Sequence, residues 1–254
     1  MKIKLTIAIL FLINLSFAQN KYDLDQFVNE GSDYFTAPLD WKAKDFLLFG
    51  LAAGATIGAM QLDKAAKEFT QTNRPESSPI PILAGRFYGE PLAPFTLATF
   101  FIINGNSNNN SYHKKLGFEI AQASFYSVAT TFLLKIILGR ERPYRTNDNL
   151  NFTGPTLFGK DFFSLPSGHT TLAFALSTVL SENSSSDVLK VVSYLPAFLT
   201  AYSRVYENQH WISDVLLGGI IGFTTAKFFV QQHKENEFEQ FSAPAPIYSI
   251  SIPL

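Results

Sequence analysis

No cysteine occurs anywhere in the sequence, which excludes disulfides, thiolate metal sites and a cysteine nucleophile but chooses no compartment. Charge is also sparse: Asp, Glu, Lys and Arg make up 16% of the chain, below the usual quarter. The formal net charge of −1 leaves no chain-wide basic field, so no nucleic-acid partner is expected and any grip on anions must be local. Alternating, turn-punctuated stretches of the strand type are scarce, and no internal repeat is apparent.

What the chain has is apolar runs. They cover Phe46 to Met60, Ile80 to Ile103, Leu116 to Leu138, Thr170 to Leu180, Val188 to Tyr202 and Ile212 to Val230. Leu, Ala, Phe and Ile dominate them, and glycines recur, as in GLAAGATIGA and LLGGIIG, where they permit close contact between helix backbones. The pattern predicts an all-α fold, a single bundle of about six helices embedded in a membrane. A mean hydropathy only just above zero keeps a soluble bundle as the alternative. So does the first run, about fifteen residues against the roughly twenty that cross a bilayer. That run is expected not to span, and Lys190 and Pro196 interrupt the fifth.

Lys2 and Lys4, the run LTIAILFLINL and the small residues Ser16 and Ala18 have the order of a secretory signal ending at Ala18. The chain therefore divides into a signal peptide (1–18), one domain (19–234) and a C-terminal tail (235–254). Export to a bacterial cell envelope follows, to an inner membrane with the site facing the periplasm, or alternatively to the soluble periplasm. A cleaved signal followed by three spanning helices would place the site on the cytoplasmic side instead. QTNRPESSP and NGNSNNNS read as loops, and Tyr144 to Lys160 as a long loop of the kind that often carries function.

Charges at the mouths of apolar segments are costly unless they pair or do chemistry. They gather in three stretches: KIILGRERPYR, LPSGHTT and SRVYENQHWISD. In the second, Pro166 and Ser167 open a helix whose first N–H groups favour an anion, and Gly168 allows close approach. Alone, the stretch reads more readily as a capped helix with an incidental histidine. In the third, His210 and Asp214 share a helix face, so the carboxylate can orient the imidazole. Alone, they read equally as a pair that satisfies itself. Lys135, Arg142 and Arg204 have the charge and donors of a phosphate cradle. Arg140 and Arg145 read as snorkelling cations, and His113 and His233, beside lysines, as surface residues.

The spacing is more specific than any one stretch. Lys135 with Arg142-Pro143, then Pro166-Ser167-Gly168-His169, then Ser203-Arg204 with His210 and Asp214, resembles the three-part signature of the type 2 phosphatidic acid phosphatase (PAP2) superfamily. That superfamily includes bacterial acid phosphatases and vanadium haloperoxidases. The resemblance implies His210 as a nucleophile that becomes a phosphohistidine, Asp214 as the carboxylate orienting it, and His169 as the general acid. It implies Lys135, Arg142, Ser167, Gly168 and Arg204 as the phosphate-binding set. The expected activity is metal-independent hydrolysis, without cofactor, of a phosphate ester or diphosphate, with a phosphorylated lipid as the substrate partner. A soluble non-specific acid phosphatase and a vanadate-dependent haloperoxidase are the alternative enzymes. A non-catalytic phospholipid binder is the alternative outside enzymes, and it has no use for a complete His169–His210–Asp214 set.

Overall fold

The computed structural model describes residues 20–72, 79–157 and 159–242. Among them are ten α-helices and no strand. The proposed signal peptide and most of the tail lie outside them.

The six apolar runs appear as helices, two of them divided by proline. The first becomes α2 (Ala43–Ala59), which continues through a short 3-10 turn into α3 (Asp63–Gln71). The second divides into α4 (Ile80–Tyr88) and α5 (Leu92–Ser107) around Pro91. The third is α6 (Ser111–Leu138) and the fourth α7 (Gly168–Glu182). Pro196 lies in the first turn of α9 (Leu195–Tyr206), the position a helix tolerates, with α8 (Asp187–Val192) before it. The last run is α10 (Ile212–Ser242), which extends beyond residue 234, where the domain was expected to end. An N-terminal helix, α1 (Leu24–Thr36), is the addition; Asp23 caps it by accepting from the Gln26 N–H at 2.9 Å.

Among the described residues, three helical stretches are long and apolar enough to cross a membrane: 43–71, Ser111–Leu138 and Ile212–Glu237. The first corrects the expectation that Phe46 to Met60 falls short. No breaker separates α2 from the amphipathic KAAKEF that follows, so the helical stretch grows to 29 residues. Near its start it exposes Phe46, Leu47, Leu48, Phe49 and Leu51, apolar residues on every side of the helix, while Phe125, Phe132, Leu133 and Ile137 are exposed on α6. Water tolerates little contiguous apolar surface of this extent, and a bilayer requires it. The protein is a membrane protein.

In lipid, helices associate through close packing and interhelical hydrogen bonds more than through the hydrophobic effect. The inner core is accordingly small-featured, with Ala98, Ala123, Ala175 and Ala226 around Ile120, Leu176, Val179 and Val230. Thr131 and Thr171 pair at 3.0 Å between α6 and α7, and Tyr88 reaches Ser177 at 2.9 Å. On α10, a Cβ at Gly218 would lie 2.5 Å from the Ser167 carbonyl, so glycine there lets α10 touch the start of α7. The glycines of GLAAGATIGA behave differently: a Cβ at Gly50, Gly54 or Gly58 would meet nothing within 4 Å.

His233 corrects the surface reading. It is fully buried, with Nδ1 3.1 Å from Glu119 of α6 and Nε2 2.9 Å from Glu30 of α1. Gln122 and Gln26 each donate to Glu30 at 2.8 Å. The polar run HKENE looks solvated in one dimension, but α1 folds back over it. His113 is half-buried, its Nδ1 at Asn104 Oδ1, 2.5 Å away.

Candidate active site

The end of the bundle opposite this network gathers the charged stretches. α6 stops at Gly139, whose φ of 57° is left-handed and whose Cβ would lie 2.5 Å from Thr153 Oγ1, so glycine fits on both counts. The turn leaves Lys135 in the last helical turn and sends Arg140 and Arg142 back across the helix ends. α7 starts at Gly168 with Ser167 at the cap position, α9 ends just after Arg204, and α10 begins just after His210.

These elements bring the expected residues together. The Phe163 carbonyl accepts from Lys135 Nζ at 2.6 Å and from Arg142 Nη2 at 3.4 Å, tying two cations to one atom. Arg142 Nη1 also donates to Gln209 Oε1 at 3.1 Å. Arg204 donates through Nη2 to Glu207 at 2.6 Å, while its Nε and Nη1 are buried with no partner among the described residues. The Ser167 N–H donates to the Asp214 carbonyl at 2.9 Å, and its hydroxyl accepts from Thr170 rather than capping α7. A Cβ at Gly168 would meet nothing within 4 Å, so the first turn of α7 opens onto free space. His169 Nε2 lies 3.1 Å from Glu90 Oε1, just beyond α4.

His210 is 3% exposed, with Nδ1 3.5 Å from Asp214 Oδ2. Burial above all, and then the charges of Lys135, Arg142 and Arg204, hold its imidazole well below the ordinary histidine range. It is therefore neutral at physiological pH, the form with a lone pair to give. His169 is also lowered, first by burial and then by Arg204, with the Glu90 bond acting in the opposite direction. A cleft of about 610 Å³ lined by Arg142, Tyr144, Arg145, Asp161 and Gln209 opens beside this cluster.

Two expectations need correction. Asp214 is not engaged chiefly by His210, whose Nδ1 lies beyond hydrogen-bonding geometry. Its Oδ1 accepts from Arg140 at 2.6 Å, and its Oδ2 from Ser164 Oγ at 2.5 Å and the Trp211 N–H at 2.9 Å. Arg140 does not snorkel: it is fully buried, its other arm bonded to Asp63 at 2.6 Å, and its guanidinium lies over Trp211. Arg145 stays more than half exposed, beside Asp161. Sequence reasoning missed Arg140, Asp63, Ser164 and Glu90. Three of them left a signal: Asp63 as an acid where an apolar run ends, Glu90 as the one acid within the run Ile80 to Ile103, and Arg140 within the charged stretch KIILGRERPYR.

The family model for the PAP2 superfamily matches residues 117–238, from within α6 to within α10, and so includes every residue expected in the site. This stretch, just under half of the chain, is of the PAP2 superfamily. A lipid A 1-phosphatase of Porphyromonas gingivalis is 46% identical over 61 residues, 23% of this chain and 14% of that protein. An undecaprenyl-diphosphatase of Sulfolobus acidocaldarius is 27% identical over 112 residues, 43% of this chain and 51% of that protein. The chain thus spans about half or less of the length of these two curated relatives. A transmembrane PAP2 type phosphatidylglycerolphosphate phosphatase of Bacillus subtilis has a crystal structure that matches with a TM-score of 0.51. The match covers 74% of this chain and 94% of that one at 20% identity, a likeness of fold. Within this chain, α1 to α5 lie outside the family match, yet α3 supplies Asp63 to the centre of the site.

Proposed function

We propose that this protein hydrolyses the phosphate ester or diphosphate of a membrane lipid through a phosphohistidine, without a metal. The observation that carries the reading is His210: a buried, neutral imidazole faced on one nitrogen by Asp214 and surrounded by Lys135, Arg142 and Arg204. With Nδ1 toward Asp214, Nε2 is the attacking atom. Its lone pair forms the P–N bond while the bond from phosphorus to the leaving oxygen breaks, and His169 gives that oxygen a proton. The three cations and the first N–H groups of α7 neutralise charge on the non-bridging oxygens, the main task in phosphoryl transfer. Water, deprotonated by His169, then attacks phosphorus; the P–N bond breaks and inorganic phosphate leaves. An incoming phosphate dianion favours the protonated form of His169, which readies it as the acid.

The lipid class follows from placement. The site lies at one end of a bundle whose outer surface is apolar, so an amphiphile can present its phosphate while its chains stay in the bilayer. The relatives that act on lipid A and undecaprenyl diphosphate support a lipid phosphate of that kind. The site is proposed to face the periplasm of a bacterial envelope.

Phosphate release from phosphatidic acid, an undecaprenyl diphosphate and lipid A, in detergent with EDTA, tests the activity. Turnover by the wild type that disappears in His210→Ala is expected; turnover that EDTA abolishes and magnesium restores overturns the metal-free reading. For orientation, the absence of native cysteine makes Leu150→Cys, at the site end, a clean reporter. Labelling of intact cells by a membrane-impermeant maleimide is expected, and labelling only after lysis places the site inside.

A further inference from the structure

Asp214 is fully buried and ionised groups in such places need a counter-charge. His210 does not supply it, since its imidazole is neutral and 3.5 Å away. Arg140 does. One arm donates to Asp214 Oδ1 at 2.6 Å and to Ser213 Oγ at 2.7 Å; the other donates to Asp63 Oδ2 at 2.6 Å and to the Asn149 carbonyl. Asp63 is itself fixed, accepting from the Ser213 N–H at 3.0 Å and the Ser213 hydroxyl at 2.9 Å. Asp63, Arg140, Ser213 and Asp214 have no solvent exposure.

We infer that Arg140, clamped by Asp63 at the start of α3, is a positioning residue that aims Asp214 at His210. The inference rests on the phosphatase reading and adds a part to it. Only a guanidinium fits the arrangement, because its planar fork serves two carboxylates in fixed directions, whereas an ammonium is a single point charge. The hydrogen bonds of Arg140 go to Asp214, Ser213, Asp63 and Asn149 and not to His210, so it acts through Asp214. Asp63 reaches this centre from the exposed stretch 43–71, so that stretch is joined to Asp214, the carboxylate beside His210, by two ion pairs.

The test uses the full-length protein in detergent with p-nitrophenyl phosphate as the ester and inorganic phosphate as the inhibitor that reports the cradle. Arg140→Gln is expected to lower kcat about 100-fold and Asp63→Asn about 10-fold, in the range found for residues that orient a reactive group through another. KM and phosphate inhibition should stay within about twofold, because the cradle cations are untouched. Arg140→Lys should recover part of the loss. A merely structural role would instead weaken phosphate inhibition, KM and thermal stability together with kcat. If Arg140→Gln does not fold, Asp63→Asn, an isosteric neutralisation, carries the test. Wild-type kcat in Asp63→Asn, or kcat and phosphate inhibition failing in parallel, overturns the inference while leaving the phosphatase reading intact. A wild-type protein that releases no phosphate from this ester or from the lipid panel overturns both.

Discussion

His169 Nε2 lies 3.1 Å from Glu90 Oε1, a carboxylate outside the family match at the rim of a cluster of cations. Burial and Arg204 push the imidazole down, and Glu90 works against them. Glu90→Gln should therefore make His169 a poorer proton donor. The loss should depend on the leaving group. An alkyl phosphate, which needs protonation, should slow by about 10- to 100-fold, whereas p-nitrophenyl phosphate should change little. Equal slowing of both esters would show that His169 is not the acid.

The depressed imidazole of His210 sets a pH dependence. An unfolded histidine titrates near ~6.5, whereas the folded group protonates at lower pH. Between those values the unfolded chain binds more protons, so stability falls as pH drops below about 6.5. Activity should persist into the same acidic range, since His210 stays neutral there. Thermal unfolding in detergent from mildly acid to neutral pH should show this slope in the wild type and less of it in His210→Asn. That variant should also lose at least about 10³-fold in kcat, as expected when a nucleophile is removed. An unchanged slope would mean that His210 is not the group responsible.

Stability at the other end of the bundle depends on His233. Glu30 and Glu119 hold both of its ring nitrogens in a buried place, and removing one partner of such a set costs about 3–5 kcal/mol. Glu119→Leu should lower the melting temperature markedly, with turnover per folded molecule unchanged. His233 lies roughly 28 Å from Asp214 along α10, at about 1.5 Å per residue. A specific loss of kcat without loss of stability would contradict that separation.

Two glycines in similar sequence surroundings should respond in opposite ways. Gly218→Ala places a methyl group 2.5 Å from the Ser167 carbonyl, and overpacking of this kind costs about 1–3 kcal/mol. Because Ser167 bonds the Asp214 backbone, turnover should fall too. Gly54→Ala meets open space and should be neutral, or stabilising by up to about 1 kcal/mol through helix propensity. Comparing the two melting temperatures checks the helix faces assigned here.

The linear chain by itself determined the helical class, the six apolar runs and the residues expected to do the chemistry. Those properties are local: apolar length, proline position, and the spacing of Lys135, Arg142, His169, Arg204, His210 and Asp214 along their own helix ends. The tertiary structure decided which charges compensate which. Arg140 and Arg145 look alike in GRERPYR, yet one is buried between Asp63 and Asp214 and the other stays at the surface. His233 reads as solvated among QQHKENE until α1, two hundred residues earlier in the chain, lays Glu30 against it. A buried charge is tolerated only beside its partner, and where that partner is supplied by a distant segment, the fold alone brings the two together.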